Sequence, residues 1–143
     1  MRIGADAFEL RVDLLSDISA LSLHRQIALL RKSCPLPIVF TVRSVGQIGK
    51  FPDDTPEEMF NLLREGLRAG CEWIDVEACW DDDYIDSLTS LAQREYSSTS
   101  RLLGSLHVTV PQSENQIASL FEKTKLRSAA HMLKVKIIEN ICT

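Results

Sequence analysis

The sequence lacks several signatures that would assign it directly to a class of function. None of its hydrophobic runs is long enough to cross a membrane, and no tract is of low complexity. It has no basic run, no helix-turn-helix signature and no zinc-ligand spacing, and its formal net charge is −4. Direct binding of nucleic acid is therefore not expected. Because 45% of its 143 residues are hydrophobic, we expect one globular unit with a single core.

The cysteines and acidic residues also lack the grouping that metal sites and disulfides require. Cys34, Cys71, Cys79 and Cys142 are scattered, without a C-x-x-C pair and without a secretory leader. This usage is typical of small buried residues in a reducing compartment. The acidic run 81–83 indicates a helix N-terminus rather than a metal site. We expect an intracellular protein, nuclear or cytoplasmic, with no metal and no cofactor.

Hydrophobic residues follow strand and helix periods in alternation along the chain. Strands are predicted at 7–12, 36–43, 73–78, 102–108 and 132–138, and helices at 18–33, 55–70, 81–95 and from 113 onward. Thr55 with Glu58, and Ser113 with Gln116, have the spacing of capping boxes, and Gly70 is placed to end a helix. Such an alternation produces either an open doubly wound sheet or an arc of a (β/α)8 barrel.

Two of the predicted strands carry charge on one face and hydrocarbon on the other. Glu9, Arg11 and Asp13 alternate with apolar residues in the first strand, and Asp75 and Glu77 do so in the third. Helices between parallel strands cover the outer face of the sheet, so the charged face should point into a shared interior. Charges gathered in the interior of a barrel indicate a functional site.

Polar residues also occur near the C-terminal ends of the other strands, where barrel enzymes collect their catalytic groups. They are Arg43, His107 and Lys134. No G-x-G-x-x-G follows the first strand and no G-x-x-x-x-G-K occurs, so dinucleotide and P-loop sites lack their phosphate-binding loop. The sequence therefore favours an α/β fold that is an incomplete (β/α)8 barrel. It would have about five parallel strands, with helices on the outer face.

Several motifs and their order carry a family resemblance. They are Glu9-Leu10-Arg11-Val12-Asp13, Phe40-Thr41-Val42-Arg43, Gln47 to Asp54, Ile74-Asp75-Val76-Glu77, Gly104-Ser105-Leu106-His107 and the strand with Lys134. Together they resemble type I 3-dehydroquinases, most closely the dehydroquinase domain of the fungal pentafunctional AROM polypeptide. The resemblance covers nearly the whole chain. It implies a single truncated domain over 1–143 that corresponds to barrel strands two to six.

The resemblance implies a role for each polar residue of the inner face. In this family a lysine forms an imine with the ketone of 3-dehydroquinate, while a histidine moves protons during imine chemistry and loss of water. By resemblance Lys134 is the imine lysine and His107 its general acid and base. The implied substrate-binding residues are Glu9, Arg11, Arg43 and Gln47. Among them, Arg43 is best suited to bidentate recognition of a carboxylate.

The chain also departs from the family's pattern. Val108 stands where the family has an aspartate, and Ile48 where it has a glycine. Lys136 adds a second amine to the inward face of the lysine strand. Fungal transcription repressors of quinate utilisation resemble a duplicated copy of the last three AROM domains, with a degenerate dehydroquinase-like region. The departures favour such a non-catalytic domain, which would sense a quinate-pathway metabolite or contact the activator protein. A fragment of an active 3-dehydroquinase is the alternative.

The same residues also have structural interpretations. Glu9 and Arg11 could form an ion pair inside the sheet, and His107 could be a satisfied, non-catalytic histidine. Lys134 and Lys136 could lie on an exposed edge strand, where lysines discourage aggregation. An arc of five strands would leave two unpaired edges and an uncovered inner face, so we expect a homodimer.

Overall fold

Five parallel strands, with a helix between each strand and the next, form one sheet in the computed structural model of the chain. The structure describes residues 4–108, 113–126 and 129–137. The strands are β1 (Phe8–Arg11), β2 (Ile38–Thr41), β3 (Trp73–Glu77), β4 (Arg101–Val108) and β5 (Met132–Ile137). The helices are α1 (Ala20–Ser33), α2 (Pro56–Arg68), α3 (Asp82–Glu95) and α4 (Glu114–Thr124). Short 3-10 turns at Val12–Leu14 and Val45–Gln47 follow β1 and β2.

The spatial order of the strands is the order of the chain, β1-β2-β3-β4-β5, and every pair is parallel. A doubly wound sheet would reverse its strand order at a switch point, so this order is that of a barrel arc, as predicted. Right-handed crossovers that advance in one direction put the helices on one side of the sheet. The register sets Glu77 of β3 beside Ser105 of β4, and His107 of β4 beside Lys136 of β5.

Alternation of side chains gives the sheet an apolar outer face and a polar inner face. Phe40, Ile74 and Val76 are fully buried under the helices, where each contributes about 1.5–3 kcal/mol of burial free energy. Gly66 of α2 allows the close approach, because a Cβ there would lie 2.8 Å from the Phe40 ring. The apolar outer face therefore fixes the strands, and their inner residues project away from the core.

The predicted elements are confirmed, with shifts of a few residues at their ends. β1 ends at Arg11 and β2 at Thr41, earlier than predicted, because a 3-10 turn follows each of them closely. Gly70 follows α2 with φ +68° and closes it as expected. Asp81 precedes α3 at its N-terminus. The predicted end of the last strand at Ile138 lies outside the described residues.

One of the two predicted capping boxes is present. Ser113 Oγ accepts the backbone N–H of Gln116, and the Gln116 side chain accepts the backbone N–H of Ser113. The box predicted at Thr55 and Glu58 is wrong, because the Thr55 side chain makes no capping hydrogen bond. Thr55 has ψ 59°, far from the extended backbone that aims an N-cap oxygen at the helix.

Candidate functional site

A buried ion cluster fills the middle of the inner face. Arg43, just after β2, is 3% exposed and donates to Asp75 Oδ2 at 2.5 Å and to Glu77 Oε1 at 3.2 Å. It also donates to Ser105 Oγ at 2.9 Å, and the Ser105 hydroxyl donates to Asp75. Burial raises the pKa of Glu77, although the N–H of Ser44 and the charge of Arg43 oppose the rise. Three of the five N–H groups of Arg43 are thus engaged by described residues.

Asp13 connects three segments near the C-terminal ends of β1 and β2. Its side chain is fully buried and accepts Arg11 Nε at 2.8 Å and Nη2 at 2.7 Å. It also accepts the backbone N–H of Arg43 at 3.3 Å and of Lys50 at 3.1 Å. Burial alone would raise the pKa of Asp13, but the hydrogen bonds from Arg11 and the two backbone groups outweigh it and the pKa is lowered. Arg11 therefore pairs with Asp13, in place of the pair considered with Glu9.

Glu9 lies apart from this cluster, at the β1 edge of the sheet. Its side chain is exposed, and its Oε1 accepts the hydroxyl of Thr41 at 3.0 Å. Lys134 lies on β5, the opposite edge of the described sheet. Because neighbouring strands are about 4.8 Å apart, the two residues are separated by roughly 19 Å measured along the sheet. Because the sheet is an arc of a barrel, the straight-line separation across its inner face is shorter than this path.

Gln47 holds the backbone of His107. The Gln47 Oε1 accepts the backbone N–H of His107 at 2.7 Å, and its Nε2 lies 3.4 Å from the carbonyl oxygen of His107. The side chain therefore fixes the end of β4 rather than the imidazole. His107 Nδ1 is buried and has no hydrogen-bond partner among the described residues.

The imidazole of His107 is influenced by four positively charged side chains. Burial lowers the pKa of His107 to about 4, with further lowering by the charges of Arg43, Lys134, Lys136 and Arg11. The ring is therefore neutral near pH 7. Lys134 is half-buried and Lys136 is exposed. Three of the other five residues singled out from the sequence, Arg11, Arg43 and Lys134, thus act electrostatically on His107. The Gln47 side chain is linked to His107 by hydrogen bonds to the His107 backbone.

Some residues of the site were not singled out from the sequence. Ser105 precedes His107 by two positions and so shares its face, a signal that the alternation rule could have found. Trp80 donates its indole N–H to Glu77 Oε2 at 3.0 Å and meets the Phe60 ring edge-on. A cavity of about 500 Å³ lies beside Trp80 and His107, between α3 and α4. Nothing in the local pattern of the sequence indicated the role of Trp80.

Thiols and metal ligands make no site in the described part of the chain. Cys34, Cys71 and Cys79 are free, and Cys142 lies outside the described residues. Burial raises the pKa of Cys71 to about 12 and of Cys79 to about 11, which makes both poor nucleophiles near pH 7. Within 4–108, 113–126 and 129–137, no three His, Cys, Asp or Glu side chains are grouped to hold a metal. No helix in these ranges is both long and apolar enough to span a membrane.

Comparisons with known sequences give a consistent result. The model of the type I 3-dehydroquinase family matches residues 1–139. The pentafunctional AROM polypeptide of Malassezia globosa is 42% identical over 109 residues, which is 74% of this chain and 6% of that polypeptide. The AROM polypeptide of Candida tropicalis is 52% identical over 86 residues, or 60% of this chain and 6% of that polypeptide. The chain thus spans a small part of these relatives.

Solved structures share the fold. The dehydroquinate dehydratase and shikimate dehydrogenase from S. pombe AroM matches with a TM-score of 0.80 and 34% identity, over 92% of this chain and 26% of that one. Type I 3-dehydroquinate dehydratase from Clostridium difficile matches with 0.80 and 24%, over 94% and 53%. The enzyme from Enterococcus faecalis matches with 0.82 and 17%, over 95% and 56%. The predicted arc of parallel strands is thus confirmed, and the chain spans about half the length of the last two enzymes.

Proposed function

The chain belongs to the type I 3-dehydroquinase family, and from this premise we propose that its inner face binds a quinate-pathway carboxylate without turning it over. It would act as the dehydroquinase-like domain of a fungal quinate-utilisation repressor. The state of His107 carries this proposal: its ring is neutral, and its Nδ1 has no partner in the described part of the chain.

The chemistry of dehydration needs more from a histidine than this one offers. A general acid and base should exchange its proton near the working pH and be held in a fixed orientation. With a pKa of about 4, about one His107 in a thousand carries the acidic proton at pH 7. Gln47 bonds the backbone of His107 rather than its ring, and Val108 stands where the family has an aspartate. These features support the proposal that His107 no longer acts as a catalytic acid and base.

The same inner face still suits reversible binding of a hydroxylated carboxylate. Arg43 donates to Ser105 on this face, and Lys134 lies beside Ser105 in register, so two cationic side chains meet at Ser105. Glu9 offers carboxylate oxygens to the hydroxyl groups of a ligand. Charge-assisted hydrogen bonds of this kind are the stronger class and discriminate by geometry.

A repressor of this kind would work inside the cell, in the nucleus or cytoplasm, and would signal the metabolite to an activator protein. We also propose that the chain associates with a second copy of itself. β1 and β5 are the edges of the described sheet, and they carry the exposed Phe8 and Met132. Exposed edge strands with large apolar residues are templates for pairing.

An active dehydroquinase fragment is the second candidate, favoured by one observation. Lys134 and His107 lie on adjacent strands, with Lys134 beside Ser105 in register, so an amine and an imidazole share one face. In that case the neutral amine would attack the ketone of 3-dehydroquinate, water would leave, and an imine would form.

Reduction with borohydride in the presence of 3-dehydroquinate distinguishes the two candidates. Hydride converts an imine into a stable secondary amine, which intact mass and peptide mapping detect. We expect no adduct, no formation of the conjugated enone 3-dehydroshikimate in the ultraviolet, and saturable binding of quinate by calorimetry. An adduct on Lys134 that is absent from K134M, together with enone formation, would favour the enzyme. Absence of quinate binding by a folded chain would contradict metabolite sensing.

A further inference from the structure

The inner face of β5 carries two amines rather than one. Lys134 lies beside Ser105 and Lys136 beside His107 in the parallel register. Both lower the pKa of the His107 imidazole through their charges. Since successive residues of a strand alternate between faces, a spacing of two residues puts both lysines on one face.

The cations of the inner face differ in whether protein carboxylates already neutralise them. Arg11 is paired with Asp13, and Arg43 is paired with Asp75 and Glu77. The two lysines of β5 have no carboxylate within ion-pair distance among the described residues. Two uncompensated ammonium groups side by side create a positive potential that favours an anion at this edge of the site.

We propose that Lys136, together with Lys134, forms the part of the site that binds the carboxylate of the ligand. This rests on the proposed function, from which the ligand class is taken, but it assigns the anion-binding role to a residue outside the family's motif. Two residues along a strand correspond to roughly 6.6 Å. Lys136 therefore lies nearer the C-terminal rim, where ligands of barrel proteins enter.

The opposing interpretation is that Lys136 only protects an exposed edge strand from aggregation. Such a lysine would affect solubility but neither ligand affinity nor the imidazole. The chain offers a matched control in Lys32, an exposed lysine at the end of α1 and outside the inner face. K136M and K32M remove the same charge from different places, and K136R restores the charge at the site.

The test is quinate binding by calorimetry at two ionic strengths, together with an NMR titration of His107 in the full chain. We expect K136M to weaken binding roughly three- to tenfold, to reduce its salt dependence, and to raise the pKa of His107 from about 4 toward its ordinary value. K32M should change none of these, and K136R should retain the affinity. Circular dichroism and thermal unfolding check that each variant is folded.

The outcomes separate this proposal from the one on which it rests. Wild-type binding that K136M leaves unchanged would refute the role of Lys136, whether or not the His107 pKa moves, while metabolite sensing would stand. A folded wild-type chain that does not bind quinate would refute metabolite sensing, and the role of Lys136 with it.

Discussion

Replacement of Asp13 by asparagine should destabilise the fold, because one buried carboxylate satisfies two donors of Arg11 and the backbone N–H groups of Arg43 and Lys50. An asparagine has one carbonyl oxygen, and its amide nitrogen would meet donors instead of acceptors. Breaking a fully buried ion pair costs about 3–5 kcal/mol. The Arg11 side chain is 30% exposed and can regain water, so we expect a loss of about 2–3 kcal/mol.

Equilibrium unfolding in urea at pH 7 measures this loss as a lower transition midpoint at an unchanged slope. The control is D54N, which makes the same chemical change at an exposed carboxylate of the same loop region. We expect D54N to unfold like the wild type. A loss below about 0.5 kcal/mol in D13N, within the range of ordinary surface substitutions, would refute the assignment of Asp13 as the residue that joins these segments.

The pH dependence of the same difference gives an independent check. The pKa of Asp13 is lower in the folded chain than its ordinary value, so the unfolded state binds its proton more readily. The stability contributed by Asp13 is therefore fully present above the unfolded pKa of about 3.9. It is lost as the pH falls through the lower, folded pKa. The gap between wild type and D13N should accordingly be constant from pH 7 to pH 5 and shrink below about pH 4.

Three further predictions concern stability and assembly. I48G should stabilise the chain by about 1 kcal/mol in urea unfolding. Ile48 is exposed and has φ 66°, a backbone conformation that disfavours β-branched residues. A destabilised I48G would show that the Ile48 side chain makes a contact worth more than the strain. G104A should lower the free energy of unfolding by more than about 2 kcal/mol, since a Cβ at Gly104 would collide with the Thr124 carbonyl oxygen. If G104A is as stable as the wild type, α4 can shift to make room for the methyl group. Light scattering of the 143-residue chain at micromolar concentration should give the mass of a dimer, and a stable monomer would contradict self-association.

The strands and helices could be predicted because their signals are local. Hydrophobic periods of two and of 3.6 residues follow directly from the geometry of the elements. The polar face of β3 and the role of Gly70 as a helix terminator depend on the same local rules. Alternation and crossover handedness left two strand orders open, and the polar residues near the strand ends favoured the barrel arc.

The details of the site could not be predicted, because they depend on where the backbone turns. The sequence pattern continued the first strand to Val12, whereas a 3-10 turn after Arg11 brings Asp13 round to the guanidinium. Likewise, alternation alone cannot show that Gln47 reaches the backbone of His107 rather than its ring. The Gln47–His107 contact joins segments far apart in sequence. The Arg11–Asp13 contact is local but depends on the turn between the two residues, and neither contact has a sequence signal of its own.

The anchoring of the 44–51 loop has a consequence for how this region can diversify. The Asp13 carboxylate accepts hydrogen bonds from the backbone N–H groups of Arg43 and Lys50 at the two ends of the loop. Every residue except proline has such an N–H group. Backbone hydrogen bonds within the loop also hold its path, so exposed apolar side chains of the loop take no part in fixing it. Val45 and Ile48, both exposed, can be exchanged for other side chains without moving the loop. The exposed surface of the 44–51 loop can thus change in sequence while its backbone stays in place, which suits the grafting of new recognition sequences.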